Sequence, residues 1–172
     1  NLHHKQGRYA EAEPLNKRSL AIMEKAFGPE HPDVATSLNN LAIIYNTLGR
    51  YTEVEPLYKR SLAIKEKFFG PDHPDVATSL GNLANIYHNQ GRYAEAEPLY
   101  KRSLAIREKI FGPEHPDVAT LINNLALLYN KQARYAEAEQ LYKRSPAIKE
   151  KILGPEHAAV ATTINNLGLL YY

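Results

Sequence analysis

An all-α solenoid of antiparallel helix pairs is the fold class the sequence predicts, on three observations. First, Gly49 to Gln90 recurs as Gly91 to Gln132 with 30 of 42 positions identical, and the same unit continues back to Gly7 and on to Tyr172. A fixed period this long marks an array in which neighbouring copies bury one another's apolar faces. Second, the apolar residues inside each unit recur at spacings of three and four, the helix period, and no alternating run suggests a strand. Third, Gly-Arg and Gly-Pro-x-His-Pro segments separate these runs, stopping one helix and starting the next. A single repeat array over residues 1–172 follows, with units at about 33–74, 75–116 and 117–158 and partial units at 1–32 and 159–172.

Within the unit, Pro32 suits a first helical turn and Asp33 complements the positive helix end. Val34, Leu38, Leu41, Ala42 and Tyr45 then make an apolar stripe, and Gly49 ends the helix. A second helix runs from Tyr51 to Phe69, its buried stripe drawn from Val54, Leu57, Tyr58, Ser61, Leu62 and Phe69, with Pro56 tolerated near the start. The same offsets place first-type helices at about 33–48, 75–90, 117–132 and 159–172, and second-type helices at about 10–27, 51–69, 93–111 and 135–153. The leading NLHHKQ reads as the tail of one more first-type helix. The last unit departs most from the pattern: Pro146 replaces a leucine deep in a helix, Ala133 replaces the turn glycine, and Ala158-Ala159 replaces Pro-Asp. It is therefore expected to be the least stable, with a bend at Pro146.

Leu38, Leu41-Ala42, Tyr45, Gly49, Tyr51, Val54, Tyr58 and Ser61 fall at the spacings of the tetratricopeptide repeat, with Ala12, Ala96 and Ala138 at the position of Val54. The unit here is longer than the usual ~34 residues. In this form, with LYKRSLAIKEK and GPEHPDVATSLNNLA, it closely resembles the repeats of kinesin light chains and their bacterial relatives. The resemblance covers essentially the whole chain. It implies a right-handed superhelix whose first-type helices line a concave groove for peptide segments of partner proteins.

The candidate site is the face of the first-type helices turned away from the packing stripe. It holds Thr36, Asn39, Asn40, Ile43, Asn46 and Thr47, then Thr78, Gly81, Asn82, Asn85, His88 and Asn89. Thr120, Asn123, Asn124, Leu127, Asn130 and Lys131 follow, then Thr162, Asn165, Asn166 and Leu169. Asn is a poorer helix former than Glu, Lys or Gln, so its recurrence on a nearly uncharged face asks for a reason. Its amide offers donors and an acceptor and can bracket the backbone of an extended peptide. It can equally bond to the next repeat and serve the stack; both readings stand. With only Lys131 and His88 as groove cations, a clamp for a terminal carboxylate is disfavoured.

Function therefore reads as a non-enzymatic scaffold that binds a protein or extended peptide; the alternative is a structural spacer or self-assembling segment with an empty groove. A formal charge of +2 gives no argument for nucleic acid. The absence of cysteine excludes disulfides and thiolate metal sites and fits a reducing, cytoplasmic setting. No apolar run reaches the ~18 residues of a membrane helix. His31, His73, His115 and His157 recur one per unit, too far apart to share a metal, and read as residues that order the loop. Nothing implies a cofactor or a catalytic nucleophile. The Lys-Arg pairs at 17–18, 59–60, 101–102 and 143–144 form an outer line partly neutralised by nearby glutamates. The chain starts and stops in mid-pattern, as a segment of a longer array would. Leu169, Leu170 and Tyr171 are candidates for end-to-end stacking between molecules.

Overall fold

Helices account for nearly the whole chain. The computed structural model describes residues 2–171, with side chains from Arg8 onward except Ala10. In order they are α1 (Leu2–Phe27), α2 (Pro32–Thr47), α3 (Tyr51–Phe69), α4 (Pro74–Asn89), α5 (Tyr93–Phe111), α6 (Pro116–Lys131), α7 (Tyr135–Leu153) and α8 (Ala158–Leu170). No strand occurs among the described residues. The second-type helices α3, α5 and α7 have the expected bounds, and the first-type helices α2, α4 and α6 begin and end one residue early. The separate tail expected at the N-terminus is a correction: from Leu2 on, these residues and the second-type helix form one helix, α1, and Asn1 lies outside the described residues. In α1 the helix continues through Gly7-Arg8-Tyr9, whereas at the equivalent Gly49-Arg50-Tyr51 the chain turns.

Each first-type helix starts on a histidine. His31 is the N-cap of α2, with an extended backbone, and its Nδ1 accepts from the Asp33 N–H at 3.3 Å. His73, His115 and His157 accept in the same way from the N–H groups of Asp75, Asp117 and Ala159, at 3.2, 3.2 and 3.1 Å. The imidazoles of His31, His73 and His115 also stack on Phe27, Phe69 and Phe111, with ring centroids 4.8, 4.3 and 4.6 Å apart. An unprotonated ring nitrogen thus does the work usually given to a Ser, Asn or Asp oxygen. Thermal denaturation of His73→Ala should show a loss of about 1 kcal/mol, and His73→Asp, which restores an acceptor, should recover most of it.

The turn within each pair needs a left-handed residue. Gly49 adopts φ +76°, its N–H bonds to the Asn46 carbonyl at 3.1 Å, and the Arg50 N–H reaches back to the Tyr45 carbonyl at 2.9 Å, closing the helix end. Ala133 makes the same turn at φ +59°, with Arg134 N–H on the Tyr129 carbonyl at 2.9 Å. An L-residue with a Cβ is disfavoured there, whereas glycine is not. Ala133→Gly should therefore raise the unfolding midpoint, by about 1 kcal/mol in free energy.

The chain divides into two compact units, residues 1–86 and 87–172. In the first, Val34, Ala35, Leu38 and Ile64 form a buried cluster, with Leu20, Met23 and Leu57 packed on it. In the second, Val118, Ala119, Ile122 and Ile148 form the matching cluster, joined by Leu104 and Leu141. The small residue at the helix crossing is a buried serine in both. Ser61 Oγ donates to the Ala35 carbonyl at 2.8 Å, and Ser145 Oγ to the Ala119 carbonyl at 2.9 Å. The buried stripe of α3 differs from the expected one at its far end. Ile64 and Lys65 are buried, whereas Phe69 is half-exposed against His73. Lys65 Nζ donates to Ser79 Oγ at 3.1 Å, and Lys149 Nζ donates to Thr163 Oγ1 at 2.9 Å. Burial lowers the pKa of both lysines. Helix α7 runs unbroken through the buried Pro146.

Candidate functional site

The threonines of the outward face turn inward to their own helix. Thr36, Thr78, Thr120 and Thr162 each donate to the carbonyl four residues earlier, at 3.3, 3.1, 3.1 and 3.0 Å. Thr47 does the same toward Ile43 at 2.9 Å. Their hydroxyl hydrogens are spent, so the polar donors of this face are chiefly amides.

Those amides form bridges between repeats. In the first unit, Asn82 Nδ2 donates to Asn39 Oδ1 at 3.1 Å, tying α4 to α2. In the second, Asn166 Nδ2 donates to Asn123 Oδ1, also at 3.1 Å, tying α8 to α6. Each bridge uses one N–H of the donor amide and leaves its carbonyl oxygen and second N–H outside that bond. It also fixes the amide's orientation, which a solvated side chain would not have. Sequence reasoning gave stacking and ligand contact as alternatives; the stacking contact is present at these two pairs.

Around the bridges the remaining candidates are graded in exposure. Asn40, Asn85, Asn89, Lys131 and Asn165 are exposed, and Asn46, His88, Asn124 and Asn130 are half-buried. Ile43, at 42% exposure, and Leu169, at 59%, add apolar surface to the same face. Gly81 is the exception: counted with the outward face, it is buried. His88 lies edge-on to Tyr93 and Tyr100, with centroids 5.6 and 6.4 Å away. Burial, helped by the Lys131 ammonium, pushes His88 below the ordinary imidazole range, so near neutral pH it is an uncharged hydrogen-bonding group. Lys131 then carries the positive charge here. Asn130 sits beside the buried Tyr142 hydroxyl, which burial pushes up to about 12.

A cluster that sequence reasoning missed braces the rim of this face. The Arg50 guanidinium lies 4.1 Å above the Tyr45 ring, donates to Glu13 Oε2 at 2.7 Å and forks onto Glu53. Arg134 repeats it in the second unit, 4.0 Å above Tyr129, with Glu97 Oε2 at 2.7 Å and Glu137 as the forked partner. The Glu13 carboxyl is held below its usual range, first by Lys17 and then by Arg50. The signal was in the sequence, as Tyr, Arg and Glu recurring at fixed offsets. Only packing shows that the offset joins neighbouring repeats. On the outer line, Lys17, Lys59, Lys101 and Lys143 pair with Glu13, Glu55, Glu97 and Glu139, as the sequence suggested. Among the described residues, no three His, Cys, Asp or Glu side chains gather as a metal site, and no helix is long and apolar enough to cross a membrane.

Comparison with known proteins agrees with this architecture. The tetratricopeptide repeat family model matches residues 1–67, 45–109, 75–151 and 117–172. No curated protein sequence matches the chain. Among solved structures, BtubC (BKLC) from P. vanneervenii is similar with a TM-score of 0.87 and 27% identity, over 98% of this chain and 67% of that one. The nearly identical TPR-like repeats of a kinesin light chain-like protein from Podosopora anserina give a TM-score of 0.84 and 30% identity, over 99% of this chain and 82% of that one. The N-terminal domain of stress-induced protein-1 from C. elegans shares the fold alone, with a TM-score of 0.61 and 13% identity over 82% of this chain and 97% of that one. With helix pairs throughout, a matching family model along the chain and kinesin light chain-like neighbours, the chain is an all-α repeat solenoid and belongs to the tetratricopeptide repeat family.

Proposed function

We propose that this chain is a non-enzymatic scaffold whose Asn-rich first-type helix faces bind an extended peptide segment of a protein partner. Tetratricopeptide repeats generally mediate protein–protein interaction, which gives the coarse reading. The observation that carries the finer one is the pair of Asn bridges, Asn82 to Asn39 and Asn166 to Asn123. Each holds an amide with donor and acceptor capacity left over in a fixed orientation on a nearly uncharged face, as backbone recognition requires. The exposed Asn40 occupies the register of Asn82 in the preceding repeat.

A displayed-peptide selection against the parent chain tests the reading, with Asn40→Leu and Asn82→Leu as counter-targets. Asn40→Leu removes an exposed amide without touching either bridge. Enriched peptides should bind the parent and lose roughly tenfold or more in affinity on Asn40→Leu. The second reading, a spacer with an empty groove, is favoured by the same bridges if stacking is their whole purpose. It predicts no enrichment, and a loss of stability in Asn82→Leu but none in Asn40→Leu.

A further inference from the structure

The loop edge of the first unit carries a row of aromatic rings. His31, stacked on Phe27, meets Phe68 with centroids 6.2 Å apart and the rings tilted at 57°. Phe68 lies edge-on to Phe69 at 4.9 Å, and Phe69 stacks on His73. Phe68 is 60% exposed on α3, which has helices before and after it, so this exposure does not come from an end of the chain. A single apolar side chain in water needs no explanation, whereas a row of rings in mutual contact marks an interaction surface.

Beside the row stands a carboxylate without a cation. The Asp33 side chain, on the first turn of α2, is 57% exposed and 3.5 Å from His31 Nδ1. That nitrogen accepts from the Asp33 N–H, so it holds no proton and the imidazole brings no positive charge. The second unit shows what is missing: there the Arg107 guanidinium pairs with Asp117. Met23 stands at the corresponding position of α1 and packs on the Val34 cluster, and among the described residues no Lys or Arg pairs with Asp33. Nearby, Lys67 and Glu30 pair with each other and offset one another's charge.

We propose that the edge formed by Phe68, His31 and Asp33 docks a basic segment of a protein partner, with an arginine against the rings and its guanidinium on Asp33. A guanidinium is planar and weakly hydrated, stacks on aromatic faces and forks onto a carboxylate, so one side chain meets both features of the edge. An acidic segment would be repelled by Asp33, and a wholly apolar one would cover the carboxylate without a partner for it. The site uses none of the Asn residues of the first-type helices. In the second unit Ile110 and Phe111, each 41% exposed, keep apolar surface, but Asp117 is already paired, so the first unit is the one that binds.

Titration of the full chain, followed by its amide NMR resonances, tests the proposal with two end-capped peptides, Leu-Arg-Leu-Arg-Leu and Leu-Gln-Leu-Gln-Leu. The arginine peptide should shift the amides of 31–33 and 68–69, leave those of 110–117 in place, and bind about tenfold tighter than the glutamine peptide. Phe68→Ala and Asp33→Asn, both at exposed sites, should each weaken it about threefold or more. Met23→Arg, which supplies Asp33 with the cation that Asp117 has, should do the same. Far-UV circular dichroism and melting matched to the parent establish that a variant is folded. Equal affinity for the two peptides overturns the proposal, as do shifts that fall alike on both units or a folded Phe68→Ala or Asp33→Asn chain that binds as the parent does. Shifts of the same amides on raising the protein concentration without peptide would assign the edge to a second copy and overturn it too.

Discussion

Pro146→Leu is expected to stabilise the chain by about 3 kcal/mol, the cost of a proline within a helix. Proline has no N–H to give to the Tyr142 carbonyl, and its ring crowds the preceding turn. The other units carry Leu20, Leu62 and Leu104 at this position, and Leu104 packs against the Val118, Ile122 and Ile148 cluster. A leucine at 146 thus restores both a backbone bond and a side chain of the size the site takes elsewhere. The urea midpoint should rise, and amide exchange across 135–153 should slow toward that of 93–111. Exchange already equal in the parent would show that α7 loses nothing at the proline, and that the C-terminal unit is not the weak one.

Tyr129→Ala is expected to destabilise by about 3–5 kcal/mol, in the range of a buried aromatic truncated to alanine. The ring is 5% exposed, and it supports the Arg134 guanidinium 4.0 Å above it, which bridges Glu97 and Glu137. Truncation opens a cavity and removes the platform together. Tyr129→Phe separates the contributions. It keeps the ring and loses the hydroxyl's contacts to Glu97, at 3.4 Å, and to Lys101, so it should cost about 1 kcal/mol. Equal losses in the two variants, measured by urea unfolding, would mean that the hydroxyl holds the cluster and the ring does not.

Much of the fold was legible because its determinants are local and repeated. Tyr51 and Phe69 bound α3 as the spacing of its apolar residues said they would, and the same offsets located α5 and α7. The loop histidines were recognisable as ordering residues because His-Pro stands before each regular first-type helix. That Nδ1 would be the N-cap acceptor was not legible, since a ring's orientation depends on the phenylalanine it stacks against. The candidate face could be traced by helix period alone, with Gly81 the misplacement: a residue without a side chain can lie on an outward register and still be covered.

The sequence by itself determined the repeat, the helix pairs, the family and the near-absence of charge on the outward face. These follow from periodicity and residue type, which act over one or two turns of helix. Tertiary structure alone decided how the polar groups are spent. Asn82 finds Asn39, Arg50 finds Glu13 and Ser61 finds the Ala35 carbonyl, across separations of 43, 37 and 26 residues. It also decided that Lys65 lies inside and that residues 2–6 belong to α1. A polar side chain has several adequate partners in principle, and only the packing of one helix on the next selects among them.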